Sequence, residues 1–290
     1  MAQAFEGGNH RGRVCAQEIV AMREAISFKT HAPYPIVCFN ILEALSMRSR
    51  KTFTFVFAAS TLLTVAAYAT PGPQRMIAPT LYGLTEVTEG VYTDDPTKTA
   101  QEILLISQSN AAVKAFFGTL EGTPRYVMCT TMMCEKTFGK SNRIAVCYGW
   151  HAIHLPPRGV NDLHLGRILL THERVHSELH KRWGASELWD AKFPTWFDEG
   201  LASYLSGDDR LHLEYSDKDI EWISHARRIY SWGSFIQERG WADAYGAATA
   251  YVSRIQAKAG EKGLHELIDR TIKGEDFDAV LADLMRDKRS

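Results

Sequence analysis

The apolar residues Leu165, Ile168, Leu169, Val175 and Leu179 recur at helical spacing and predict one central helix, capped by Asn161 or Asp162 and stopped by Gly184. Before it the pattern changes character. The stretch 96–117 carries Ile103, Leu104, Ile106, Val113 and Phe116 as a helical stripe closed by Gly118, whereas 126–130, 143–148 and 151–155 are rich in branched and aromatic residues and read as strands. A further strand falls within 76–92, and 134–138 reads as a short helix. Pro156 and Pro157 close the run at 151–155 and predict that it lies at a sheet edge. After the central helix every segment is helical: 195–206, broken by Gly207-Asp208-Asp209, then 218–229, 241–258, 261–273 and 276–286. Strands first and helices afterwards predict an α+β fold, in which a small mixed β-sheet lobe is followed by a helical lobe with the central helix between them.

One apolar run has no stripe at all. Met47-Arg48-Ser49-Arg50-Lys51 leads into 52–69 (TFTFVFAASTLLTVAAYA), which carries no charge and is followed by Pro71-Gly72-Pro73. A basic start, an apolar body and small residues at Ala67 and Ala69 make up a secretory signal. The run is also long enough to act as a signal anchor in a membrane. Its place inside the chain predicts that 1–46 are an upstream extension, that 47–69 are signal or anchor, and that 70–290 form the exported domain, periplasmic or secreted. Only a short helix over 13–28 is suggested within the extension.

A formal net charge of -1 leaves no electrostatic case for nucleic acid. Of the five cysteines, Cys15 and Cys38 fall in the extension. Cys129, Cys134 and Cys147 remain, an odd number without C-x-x-C spacing; one pair can bridge in an oxidising compartment, with three pairings open.

Inside the central helix the chain reads His172-Glu173-Arg174-Val175-His176, or H-E-x-x-H. Residues four apart lie on one helix face, so two imidazoles can share a metal ion while Glu173 stands close enough to serve as a general base. Zinc lowers the pKa of water to roughly 7, where a carboxylate can take its proton. Two ligands leave such a site incomplete, because catalytic zinc takes three from the protein. A second stretch supplies the rest: Trp196, Glu199, Gly200, Ala202 and Tyr204 spell W-x-x-E-G-x-A-x-Y.

Together the two motifs resemble the gluzincins, the zinc peptidases related to thermolysin and the alanyl aminopeptidases, over about 143–258. The resemblance implies a zincin-like fold, Zn2+ held by His172, His176 and Glu199, Glu173 as the base, and a peptide or protein as substrate. It also implies an edge strand beside the metal, assigned to 151–155, that can pair with an extended peptide. Glu199 follows His176 by 23 positions, longer than the gap usual in that group, so Asp198 and Glu187 stay open as third ligands. Asp198 leaves its helix about 100° away from Glu199, and only one of the two can face the ion. The aminopeptidase branch stabilises the oxyanion with the Tyr of a Y-x-K-G-x-A segment. Tyr245-Gly246-Ala247-Ala248-Thr249-Ala250 is similar, with Ala in place of Lys and Gly, which makes Tyr245 the candidate and Tyr251 and Tyr230 its alternates. The G-x-M-E-N segment that binds a free amine in that branch has no counterpart, so exopeptidase specificity is not implied. Position 179 is Leu, which excludes the three-His metzincin pattern. His164 and His180 are expected to be solvated or hydrogen-bonded, with a supporting role at the site left open. The expected function is an exported zinc metallopeptidase; the alternatives are a zinc amidohydrolase on the same fold and a non-catalytic zinc-binding envelope protein.

Overall fold

The computed structural model describes residues 75–139, 145–184 and 192–286. The extension, the signal or anchor segment and Glu187 lie outside them. Among the described residues, no helix is long and apolar enough to cross a membrane.

Five strands form one mixed sheet: β1 (Thr85–Thr88), β2 (Val91–Thr93), β3 (Arg125–Met128), β4 (Val146–Tyr148) and β5 (Ala152–Leu155), in the spatial order β1-β2-β3-β5-β4. The β2–β3 and β3–β5 pairs are parallel and the two outer pairs antiparallel. The alternation of side chains along β3 divides the sheet's two faces. Tyr126 and Met128 join Ile153, Leu155, Leu169 and Leu170 on one face, while Val127 and Cys129 join Tyr92, Cys134 and Phe138 on the other. The prediction of 151–155 as an edge strand is corrected here: β5 is flanked by β3 and β4, and the edge on that side is β4. The prolines lie past the strand rather than in it, Pro156 and Pro157 opening the next helix, so they remove no donor from the ladder.

The helices are α1 (Thr99–Phe117), α2 (Met132–Phe138), α3 (Pro157–Asn161), α4 (Leu163–Trp183), α5 (Thr195–Ser206), α6 (Asp217–Ser224), α7 (Ile229–Arg239), α8 (Trp241–Ile272) and α9 (Phe277–Met285). Asp162 caps α4 by accepting from the Leu165 amide at 3.1 Å, and Gly184 ends it at φ 80°. The predicted helices over 241–258 and 261–273 are α8, bent where Gly260 adopts φ 76°. The helix predicted over 218–229 instead breaks after Ser224, and α7, absent from the prediction, begins at Ile229. The reason is tertiary. Pro194 offers no side-chain cap for α5, whose first amides donate to the carbonyls of Arg227 (3.3 Å) and Ala226 (2.9 Å). The break frees those carbonyls from helical bonding.

Helix α4 links the two cores. Leu169 and Leu170 pack into the sheet core, while Val175, Leu179 and Trp183 enter the helical core with Trp196, Phe197, Leu201 and Ala248. Its rotation is fixed from behind by Arg174 and Glu178, both fully buried. Glu178 accepts from Arg174 (3.1 Å), Arg182 (3.0 Å) and the amides of Glu121 (2.8 Å) and Gly122 (3.1 Å), and Arg174 Nε donates to Asn110 (2.9 Å). Breaking a buried pair of this kind costs about 3–5 kcal/mol.

Helix α5 packs tightly on α8 at Gly200, where an added Cβ would stand 2.6 Å from the Ala248 carbonyl oxygen. Ala is the better helix former by about 1 kcal/mol, but the clash is with backbone and the helices must separate. Gly200→Ala should therefore destabilise by about 1–3 kcal/mol; an unchanged or raised melting temperature would refute this close contact.

Glu102 on α1 is fully buried and accepts from Thr93 Oγ1 at 2.7 Å. Burial, opposed by that hydrogen bond and assisted by Asp94 and Asp95, raises its carboxyl from the ordinary 4.5 to about 7. Between these values the folded chain holds a proton that the unfolded chain has released. Stability is thus fully present below pH 4.5 and declines as pH rises towards 7, by up to about 3 kcal/mol. Glu102→Gln, which keeps an acceptor for Thr93, should remove this decline in urea unfolding at pH 5 and pH 8.

Candidate metal centre

One helical turn separates His172 from His176, and both project from α4 towards α5. Their Nε2 atoms lie 3.1 Å apart, and Glu199 Oε2 stands 3.3 Å from the first and 3.5 Å from the second. Three donor atoms from two helices thus face one point, and together they could hold a metal ion.

The opposite nitrogens are also engaged. His176 Nδ1 is 2.7 Å from Asp198 Oδ1. An ionised carboxylate only accepts, so Nδ1 carries a proton and Nε2 is the ring nitrogen that faces the cluster. The other oxygen of Asp198 meets His180 Nε2 at 3.1 Å, and Ser203 Oγ lies 3.4 Å from His172 Nδ1. Among the described residues, Glu199 joins the Nε2 atoms, and Asp198, about 100° further round α5, reaches the back of His176.

Electrostatics favour positive charge here. Burial works against the ionised form of Asp198, but the charges of His176 and His180 and their hydrogen bonds override it and hold the carboxyl well below the usual range. Burial likewise opposes the charge on Glu199, yet hydrogen bonds with His172 and His176 keep its carboxyl down at about 2. His176 shows the converse. Burial would lower its pKa, but Asp198 and then Glu199 raise it well above the ordinary value. Without an ion the cluster holds a proton, and metal binding would release it.

Glu173 points from the same turn towards the sheet. Burial pushes its carboxyl up, while His172, His176 and a hydrogen bond from the Cys147 backbone amide pull it down. Cys147 is the middle residue of edge strand β4, so the Glu173 carboxyl lies against the outer edge of the sheet. Tyr245 on α8 is half-buried, its ring centroid 6.0 Å from that of His172 and 5.2 Å from that of Trp232. Its alternates are elsewhere: Tyr251 stacks on Trp196 at 4.1 Å, and Tyr230 is 84% exposed. His164 pairs with Asp209 at the surface, 2.9 Å away.

No protein-family model and no curated protein matches this chain, so the geometry of the cluster alone bears on its chemistry. Three supporting groups are not evident from the sequence: Ser203, the Cys147 amide and Asp198 as a partner to His176. Ser203 is within reach of helical arithmetic, since it lies four residues after Glu199 and shares its face. Asp198 forms a bridge only because two helices dock, and the amide depends on sheet order. The disulfide is Cys129–Cys134, with Cα atoms 5.3 Å apart, which selects one of the three open pairings; the Cys147 thiol is outside it and donates to the Gly149 carbonyl at 2.7 Å. A cavity of about 950 Å3, lined by Tyr92, Arg125, Tyr126, Trp150 and Arg174, opens on the face of α4 opposite the imidazoles.

Proposed function

We propose that this protein is an exported zinc metallopeptidase of the gluzincin type with a zincin-like fold. The observation that carries the reading is the convergence of His172 Nε2, His176 Nε2 and Glu199 Oε2, with Glu173 beside them on the sheet edge. Two donors on a tetrahedral zinc, each bonded at about 2.0–2.1 Å, stand about 3.3–3.4 Å apart. The three separations here, 3.1, 3.3 and 3.5 Å, bracket that length. A His-His-carboxylate set also suits zinc in a catalytic position better than a hard cation such as magnesium, which prefers oxygen alone. The disulfide supports an oxidising compartment.

When bound, zinc supplies Lewis acidity and lowers the pKa of water. Glu173 then accepts a proton from the attacking water at its carboxylate and passes it to the leaving amine. Edge strand β4 offers main-chain groups to an extended peptide, which places the scissile carbonyl over the base. Tyr245, beside His172, is the candidate donor to the developing oxyanion. The placement of Glu173 favours a catalyst over a passive zinc protein.

The test is metal analysis and a panel of quenched fluorogenic peptides on the purified full chain. One zinc per chain is expected, with cleavage removed by a chelator and restored by zinc. Zinc without cleavage of any peptide would overturn the peptidase assignment, and no zinc at all would overturn the metal centre.

A further inference from the structure

We propose that His180 is a positioning residue of the metal centre, acting through Asp198 to fix the ring of His176; this rests on the reading of the site as a zinc centre. On α4 each step of four residues advances about 40°, so His172, His176 and His180 form a slowly turning stripe along one side of the helix. Asp198, in the first turn of α5, faces the gap between the second and third of these rings. One carboxylate oxygen takes His176 Nδ1 at 2.7 Å and the other takes His180 Nε2 at 3.1 Å. A carboxylate held at a single oxygen can swing about its last torsion, which is broad for Asp. Held at both, it cannot, and His176 is then locked in tautomer and in plane. Nε2 is thereby aimed at the point it shares with His172 and Glu199 before any ion arrives. His180 itself is set by edge contact with Trp183, 6.1 Å between centroids, at the end of the same helix.

His176, His180 and Asp198 could instead be donors to a second ion. The geometry points away from this. The Nδ1–Oδ1 separation of 2.7 Å is a hydrogen-bond length and well short of the roughly 3.3 Å between two donors on one tetrahedral ion. Moreover, the two imidazoles bond to different oxygens of Asp198 rather than converging on one point.

Zinc affinity of the full chain, measured by competition with a chromophoric chelator, tests this in wild type, His180→Ala and His180→Gln. Loss of such a supporting partner weakens metal binding about 10–100-fold, and that is the result expected for the Ala variant. The Gln amide can donate from the position of Nε2 and should recover most of the loss. The visible bands of the cobalt-substituted protein should shift in the Ala variant and return in the Gln variant, which a general loss of packing would not produce. Wild-type affinity in His180→Ala, or a Gln variant no better than Ala, overturns the inference and leaves the metal centre intact. A second zinc that binds wild type and is lost in His180→Ala overturns it in favour of a ligand role. A wild-type chain that binds no zinc removes both this inference and the proposed function.

Discussion

Glu173→Gln is expected to abolish peptide turnover while one zinc per chain stays bound. The two side chains have the same shape, and the Gln carbonyl oxygen can still accept from the Cys147 amide, so the contact between α4 and β4 survives. The metal donors are unaltered, since Glu173 is not among the three atoms that converge. What disappears is proton affinity. General acid–base catalysis by a positioned side chain contributes about 10²–10⁴-fold, so kcat should fall by that factor, equivalent to about 3–5 kcal/mol of transition-state stabilisation. Folding should not suffer, because burial already disfavours the charge on Glu173 and Gln carries none. A melting temperature at or above wild type, with zinc retained and kcat lost, separates chemistry from structure. Activity within tenfold of wild type would mean that another group takes the proton.

Much of this arrangement was legible in the sequence, and the reason differs from element to element. The two motif helices were readable because their information is local: Asp162 and Gly184 bound α4, Gly207 ends α5 at φ 61°, and four-residue spacing places His172 and His176 together. The remaining residues of the second motif turn out to be packing. Trp196 is 1% exposed and stacked on Tyr251, Ala202 is fully buried, and the Tyr204 hydroxyl donates to Gln256. A run of residues that looks like one functional unit is thus one candidate ligand, Glu199, carried on a tightly docked helix. Sheet order was not legible, because a four-residue strand buried on both faces reads the same in the middle of a sheet as at its rim. The Pro pair after β5 suggested a rim and was misleading for that reason. The break at 225–228 was invisible because it answers the uncapped amides of α5, a segment some thirty positions earlier in the chain. Consequently the strand beside Glu173 could be expected from the family resemblance, but not identified as β4.

Glu199→Ala should remove tight zinc binding altogether at ordinary concentrations. Structural zinc sites with four ligands bind with about 10–16 kcal/mol, or about 3 kcal/mol per ligand, so losing one of three should weaken affinity at least about 100-fold. The loss should exceed that of Ser203→Ala, because the Ser203 hydroxyl meets His172 Nδ1 only at 3.4 Å, at the limit of a hydrogen bond. It should also be seen as a change in linkage. Zinc raises the melting temperature of any chain that binds it only when folded, and that rise should vanish in Glu199→Ala while the metal-free melts of the two proteins stay close. The carboxylate's removal relieves a buried charge as well as its hydrogen bonds with the imidazoles, and these opposing terms limit the change in the metal-free state. Zinc held by Glu199→Ala at wild-type affinity would move the third ligand away from the atom that stands 3.3 and 3.5 Å from the two imidazole nitrogens. Asp198 could take its place only by giving up His176 Nδ1, so Asp198→Asn in the same background would then abolish binding.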